Sequence, residues 1–191
     1  MKISECQSLL TSTLSQTHIP APQDTLSGQI AASVRVMACA YESDGIIFFE
    51  SGDLVNALAC FCYGFGWLHF GLASGLLIVS GAAVCPFTGP PGILPPQFRI
   101  KLEEKSFRYD RLLDSARSSV ECAPDPATRS HDFAGRILSV AEIYSRHGGQ
   151  LLKSGAYEEA LSFFSYGHGW LDAGVAAGLF RVTSNRDIFC I

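Results

Sequence analysis

GDLVNALACFCYGFGWLHFGLASGLL (Gly52–Leu77) and GAYEEALSFFSYGHGWLDAGVAAGLF (Gly155–Phe180) are one stretch written twice, and their reading decides the fold. They align without a gap at an offset of 103 and share Ala57/Ala160, Phe61/Phe164, Tyr63/Tyr166, Gly64/Gly167, Gly66/Gly169, Trp67/Trp170, Leu68/Leu171, Gly71/Gly174 and Gly75/Gly178. The same offset pairs Ala38/Ala141, Tyr41/Tyr144, Gly45/Gly148, Leu9/Leu112 and Leu10/Leu113, so nearly a whole domain is duplicated.

At 100° per residue the second stretch places Tyr157, Leu161, Phe164, His168, Leu171 and Val175 on one helical face and Phe163, Tyr166, Trp170 and Ala173 on another. A small-residue stripe, Ala160, Gly167, Gly174 and Gly178, lies between them, matched by Ala57, Gly64, Gly71 and Gly75. Each glycine costs a helix about 1 kcal/mol against alanine, so the stripe predicts close approach by another helix. Gly66/Gly169 lies off that stripe and has no evident role in this reading. The remaining face of the second stretch carries Glu158, Ser162, Ser165 and Asp172 and reads as a solvent face; the first has Val55, Ala59, Cys62 and His69 there. A helix apolar all round is buried in protein or in a membrane. The run Leu54–Phe87 has no formal charge and is long enough to span a bilayer. Burial against the second unit or against a second subunit is the simpler reading, because the gap-free duplicate carries Glu158, Glu159 and Asp172 and the flanks lack basic anchors.

Working outward, residues 2–16 and about Thr25–Phe49 read as two helices preceding the first stretch, with Ser27 as N-cap of the second of them. Gly52 ends that helix, and Asp53 caps the next, which is expected to run to about Val79. The second unit repeats the plan over Glu103–Glu121, Ser130–Ser154 and Ala156–Thr183. Five of the nine prolines lie between Ser80 and Ile100, so residues 81–100 read as a linker, lying against a bundle because Cys85, Phe87, Ile93, Leu94 and Phe98 are too apolar for a solvated tether. The expected architecture is all-α: two tandem up-and-down three-helix bundles, residues 1–80 and 101–191, packed together through their third helices.

A formal charge of −4 and no clustered basic face argue against nucleic-acid binding. Residues 1–100 hold only Lys2, Arg35 and Arg99 of the 14 basic side chains, so the first half requires a burial partner. Seven cysteines, with no C-x-x-C and no spacing shared by the repeats, read as reduced, small buried hydrophobes of a cytosolic protein.

Candidate chemistry centres on His168 and Asp172, whose i, i+4 spacing lets an imidazole and a carboxylate meet on one helical face. Tyr166 and Trp170 lie beside them, and Tyr41 and Asp44 on the second helix are the other polar candidates for a ligand site between the repeats. The structural reading is simpler throughout: a histidine on an apolar face is usually a satisfied core residue, Asp53 a cap, Asp44 a solvent-facing side chain, and Tyr63/Trp67 and Tyr166/Trp170 packing anchors with polar tips at the surface. No metal is expected, since one helix cannot supply three or four ligands. There is no phosphate loop or nucleophile elbow, and no cofactor is implied.

Y-G-H-G-W-L-D-A-G at Tyr166–Gly174, preceded by G-x-Y-x-x-A at Gly155–Ala160 and by Tyr144, resembles the archaeal domain-of-unknown-function family 357. The resemblance covers residues 105–182 well and residues 3–78 as a degenerate copy. It implies a small bundle of three helices and brings no activity with it. His147 and Ala156 in the second copy, and Phe65 and His69 in the first, depart from the family pattern, so a family site is incomplete in either copy. The expected function is a protein-interaction or assembly module, with a protein partner or self-association and a cytoplasmic location. The alternative is an enzyme or a small-molecule or metal-binding protein with its site where the repeats meet.

Overall fold

The structure is a computed structural model and describes residues 2–81 and 94–190. Six helices form two halves of three. The first half contains α1 (Ile3–Ser15), α2 (Leu26–Glu50) and α3 (Leu54–Ala73), and the second α4 (Arg99–Ser118), α5 (Arg129–Lys153) and α6 (Tyr157–Ala176). In each half the third helix packs on the other two, and α3 and α6 pack on each other.

The expected break between α2 and α3 is present in detail. Gly52 takes a left-handed φ of 81°, which suits a residue without Cβ, and the Asp53 carboxylate accepts the Asn56 amide at 3.3 Å. At the start of α2 the cap is Thr25, whose Oγ1 accepts the Gly28 amide at 3.0 Å, rather than Ser27; Thr128 does the same for His131 at the start of α5. α4 begins at Arg99, earlier than expected, after a 3-10 turn at Pro96–Phe98.

The third helices are shorter than the apolar run suggests. Gly75 and Gly178 stand beyond the helix ends, each at φ 75°, and turn the chain back. The returning residues Leu77 and Phe180 pack onto Gly71 and Gly174, where a Cβ would meet them at 2.6 and 2.8 Å. They then form two-stranded antiparallel ribbons absent from the all-helical expectation. β1 (Thr17–His18) pairs with β2 (Ile78–Val79), Thr17 opposite Val79; β3 (Val120–Cys122) pairs with β4 (Phe180–Val182), Val120 opposite Val182. The two ribbons match at the offset of 103, so the duplication extends to the chain reversal.

α3 is the one helix among the described residues long and apolar enough to cross a membrane, and 78% of its apolar window is buried inside the fold. Its partner α6 has no solvent face either. Glu158, Ser162, Ser165 and Asp172, expected to face water, are buried. The polar stripe of α6 therefore lies inside the molecule, where each polar group must be satisfied or carry a cost. Of the expected linker, residues 82–93 lie outside the described residues. Its described end enters the core: Leu94 is buried, and its amide donates to Glu158 Oε2 at 2.8 Å. The N-terminal end of α4 is tied to α3 by Lys101, which pairs with Asp53 at 2.7 Å, and by Lys105, which donates to Asn56.

Candidate functional site

Gly66 and Gly169, unassigned by the helical stripe, are where the two copies touch. A Cβ on Gly66 would lie 2.6 Å from the Tyr166 carbonyl oxygen and 2.9 Å from Gly169 Cα, and one on Gly169 would lie 2.5 Å from the Tyr63 carbonyl oxygen. The contacts exchange with the copies, so an approximate twofold axis passes through this crossing. The glycine stripe meets its expected neighbour within each half, where Gly64 and Gly167 admit Tyr41 of α2 and Tyr144 of α5, while Gly71 and Gly174 receive the returning Leu77 and Phe180.

Residues three positions either side of the crossing glycines meet across it. Tyr63 donates its hydroxyl to Asp172 Oδ2 at 3.0 Å, and Tyr166 OH lies 2.8 Å from His69 Nδ1. These are one interaction written twice, with His69 standing where the other copy has Asp172. Aromatic rings extend both: Tyr41 stacks on Tyr63 with centroids 4.4 Å apart, and Tyr144 on Tyr166 at 4.5 Å.

The expected His168–Asp172 pair does not form. Asp172 turns to Tyr63 and to the Cys190 amide, which donates to Oδ1 at 3.0 Å. His168 hydrogen-bonds the Ile188 carbonyl, and its Nε2 is buried without a partner among the described residues. Burial holds the imidazole down to about 4, so it is neutral at pH 7, with the Ile188 carbonyl partly opposing the shift. The Asp172 carboxyl is pushed up by burial, against the hydrogen bonds from Cys190 and Tyr63. Tyr63 is raised well above the ordinary phenol by burial and by the Asp172 charge.

Of the other candidates, Tyr41 joins this cluster, its hydroxyl 3.1 Å from Cys190 Sγ. Trp170 is buried edge-on against Phe70 at 6.1 Å, and neither indole nitrogen, Trp67 nor Trp170, has a hydrogen-bond partner among the described residues. The aromatic anchors thus keep their polar tips inside, contrary to expectation. Asp44 is exposed on α2 and stands apart from the cluster. Tyr63, His69 and Cys190 complete the site, and the helical spacing did not single them out. The signal for the first two was present, since Tyr63 and His69 lie symmetrically about Gly66 as Tyr166 and Asp172 do about Gly169. Nothing in the repeat pointed to Cys190.

Chemically the cluster is a hydrogen-bonded network in which every described polar group but His168 Nε2 is engaged. No three His, Cys, Asp or Glu side chains converge as metal ligands among the described residues. Four cavities formed by described residues lie elsewhere. One of about 300 Å³ lies against Glu158 and Arg99, and one of about 320 Å³ lies between the halves, lined by Ile30, Phe70, Phe133 and Leu179. The other two lie beside His147 and Phe163, and beside Lys2 and Phe49.

Comparison with curated proteins and with solved structures finds no match. A family model described as "Protein of unknown function (DUF357)" matches residues 7–77 and again residues 108–180, the two halves related by the crossing at Gly66 and Gly169. The chain belongs to the DUF357 family of proteins of unknown function and carries the family domain twice.

Proposed function

We propose that the chain is a protein-interaction or assembly module, and that it self-associates through the outward face of α2. The observation that carries this reading is a contrast between duplicated helices. Gln29, Ser33, Val36, Ala40, Ser43 and Ile47 form an exposed stripe at alternating spacings of four and three, none of them charged, with Val36 64% and Ile47 60% exposed. At the matching positions α5 carries Asp132, Arg136, Ser139, Ile143, Arg146 and Gln150. On these six positions α5 keeps three charged residues, Asp132, Arg136 and Arg146, and α2 none, with Asp44 at the edge of the stripe. Leu26, exposed where the second copy has Arg129, extends the uncharged face to the start of α2.

A second copy of the chain fits this face. Small residues alternate with Val36 and Ile47, which permits close helix approach, and a twofold pairing is self-complementary. Arg35 and Glu42, seven positions apart, lie off this face, about 120–140° round the helix from it, and are half-buried. Neither forms an ion pair among the described residues, and Arg35 Nε is buried without a partner. Sedimentation velocity over a concentration series tests the reading: the chain dimerises, and Val36→Glu/Ile47→Glu abolishes dimerisation without changing helix content. A chain that stays monomeric up to about 100 times the micromolar range, where specific interfaces of standard size associate, refutes it.

The alternative, an enzyme or ligand site where the repeats meet, draws on the unpartnered His168 Nε2 beside Tyr63, whose rings are 5.3 Å apart. Native mass spectrometry of the chain and of His168→Ala/Asp172→Ala separates the two readings: a bound mass lost in the variant favours this one.

A further inference from the structure

The polar cluster is closed by the segment Arg186–Cys190, and its contacts are those of a peptide in a groove. His168 holds the Ile188 carbonyl, Asp172 accepts the Cys190 amide at 3.0 Å, and between them Phe189 is extended at φ −106°, ψ 144°. The Phe189 side chain is buried, its ring edge-on to His168 at 6.4 Å, and the Cys190 thiol meets Tyr41 OH at 3.1 Å. A carbonyl, an aromatic side chain and an amide are thus each received by a separate group of the bed. Upstream, the segment hangs from a fixed point: the Thr183 amide and the Asn185 side chain bond to Ser119, and Asn185 takes a left-handed φ of 48°.

The bed is built from groups that gain by being uncovered. Among the described residues Asp172 is a buried carboxylate that accepts from Tyr63 and Cys190 with no cation beside it, and His168 is a buried imidazole whose Nε2 has no partner; water can take the place of the segment's contacts when it lifts. Lifting it costs the apolar burial of Phe189 and the partial burial of Ile188. The five residues reach about 17 Å when extended, and Tyr41 places their end against α2, the helix of the proposed self-association.

We propose that this bed is an exchange site: in the self-associated form, Arg186–Cys190 of one copy leaves its own bed and lies in that of a second copy. The proposal rests on the self-association reading and adds the element that is shared. A second copy is the occupant because the bed's fit to this sequence, and to an aromatic residue at Phe189, is the fit the structure displays. Exchange recreates every contact without requiring a new one.

The test mixes two full chains, Tyr41→Cys/Cys190→Ser and the unmodified chain, with a short bis-maleimide that spans the space left by the tyrosine ring, and identifies joined peptides by mass spectrometry. A covalent heterodimer joined between position 41 and Cys190 is expected, with its yield falling at least fivefold when the unmodified chain carries Phe189→Ala. The single Tyr41→Cys variant is expected to be bridged to Cys190 by the same reagent within one chain, which confirms the adjacency. If that internal bridge forms and the mixture gives no heterodimer at concentrations where sedimentation shows association, exchange is refuted and the module reading stands. If sedimentation shows no association, both fall. Hydrogen exchange on the unmodified chain is independent of whether the variants fold. The Cys190 amide is expected to exchange at least tenfold faster than the amides of α6, and equal protection overturns the proposal.

Discussion

Gly66 and Gly169 meet backbone to backbone at the crossing of α3 and α6, each leaving less than 3 Å between its missing Cβ and a carbonyl oxygen of the other helix. The neighbours there are main chain, which cannot rotate aside. Everything else at the interface is placed by this contact, including the two tyrosines that reach across it.

Gly66→Ala and Gly169→Ala are therefore expected to destabilise the fold strongly, each by about 3 kcal/mol or more, the upper end of the range for overpacking. Gly135→Ala is the control. It is a helical glycine of α5 with nothing within 4 Å of its missing Cβ, so the substitution is expected to stabilise by about 0.5–1 kcal/mol. Urea denaturation of the three variants measures this. Equal effects at Gly66 and Gly135 contradict the crossing.

His168 makes stability fall as pH falls. Its folded value, about 4, lies below the ordinary histidine value. In the unfolded chain it takes up a proton near pH 6.5, while the folded state refuses it until about pH 4. Stability from this group is complete above pH 6.5 and is lost progressively down to pH 4, in total about 3 kcal/mol. Asp172 acts in the opposite sense. Its raised value means that the folded state takes up a proton first on acidification, offsetting part of the loss. His168→Phe, the residue of the first copy at Phe65, removes the histidine contribution. Stability against pH should differ between the two chains by close to one proton in slope over pH 4–6.5; parallel curves contradict the burial of a neutral imidazole.

Tyr63→Phe leaves Asp172 Oδ2 buried without its donor, at an expected cost of about 1–3 kcal/mol. In a double-mutant cycle with Asp172→Ala, the second substitution is expected to cost much less once the first is made, because the same bond is already lost. Additive costs from the unfolding free energies contradict the hydrogen bond across the interface.

The start of α6 lacks the cap that α3 has. Ala156 stands at φ −82°, ψ 64°, and Asp53 at φ −84°, ψ 71°, so the backbone is already in the conformation that the aspartate uses. Ala156→Asp is expected to stabilise by about 1 kcal/mol, and Asp53→Ala to cost a similar amount, read as shifts of the denaturation midpoint. A loss of stability on Ala156→Asp contradicts the equivalence of the two helix starts.

The architecture was legible because duplication makes a pattern independent of local propensity: two gap-free copies of an apolar stretch require two equivalent helices. The ends of those helices were misread, since Leu76–Val79 continues the apolar run, Leu179–Val182 interrupts it only at Arg181, and the left-handed Gly75 and Gly178 mark where each helix stops. The site was half legible. His168, Asp172, Tyr166 and Tyr41 lie in the core where the halves meet, but single-helix periodicity paired His168 with Asp172, when the carboxylate's partner belongs to the other copy. Glu158, Ser162 and Asp172 looked solvent-facing for the same reason: a polar stripe on one helix does not disclose that another helix covers it. Cys190 reaches the site on the segment beyond the duplicated ribbon, Arg186–Cys190, which shares no residue with residues 83–87 of the first copy, so the repeat does not encode it.

The central claim is that the two copies form one core around Gly66 and Gly169, and the chain holds one tryptophan in each copy, Trp67 and Trp170, both buried. The most direct measurement is urea unfolding of Trp67→Phe and Trp170→Phe, each followed by the remaining tryptophan's fluorescence and by far-ultraviolet circular dichroism. A single core predicts that the two signals coincide in each variant, and that Gly169→Ala moves the Trp67 transition as far as the circular-dichroism one. Separate transitions for the two tryptophans, or a Trp67 transition that ignores Gly169→Ala, would mean that the halves fold independently.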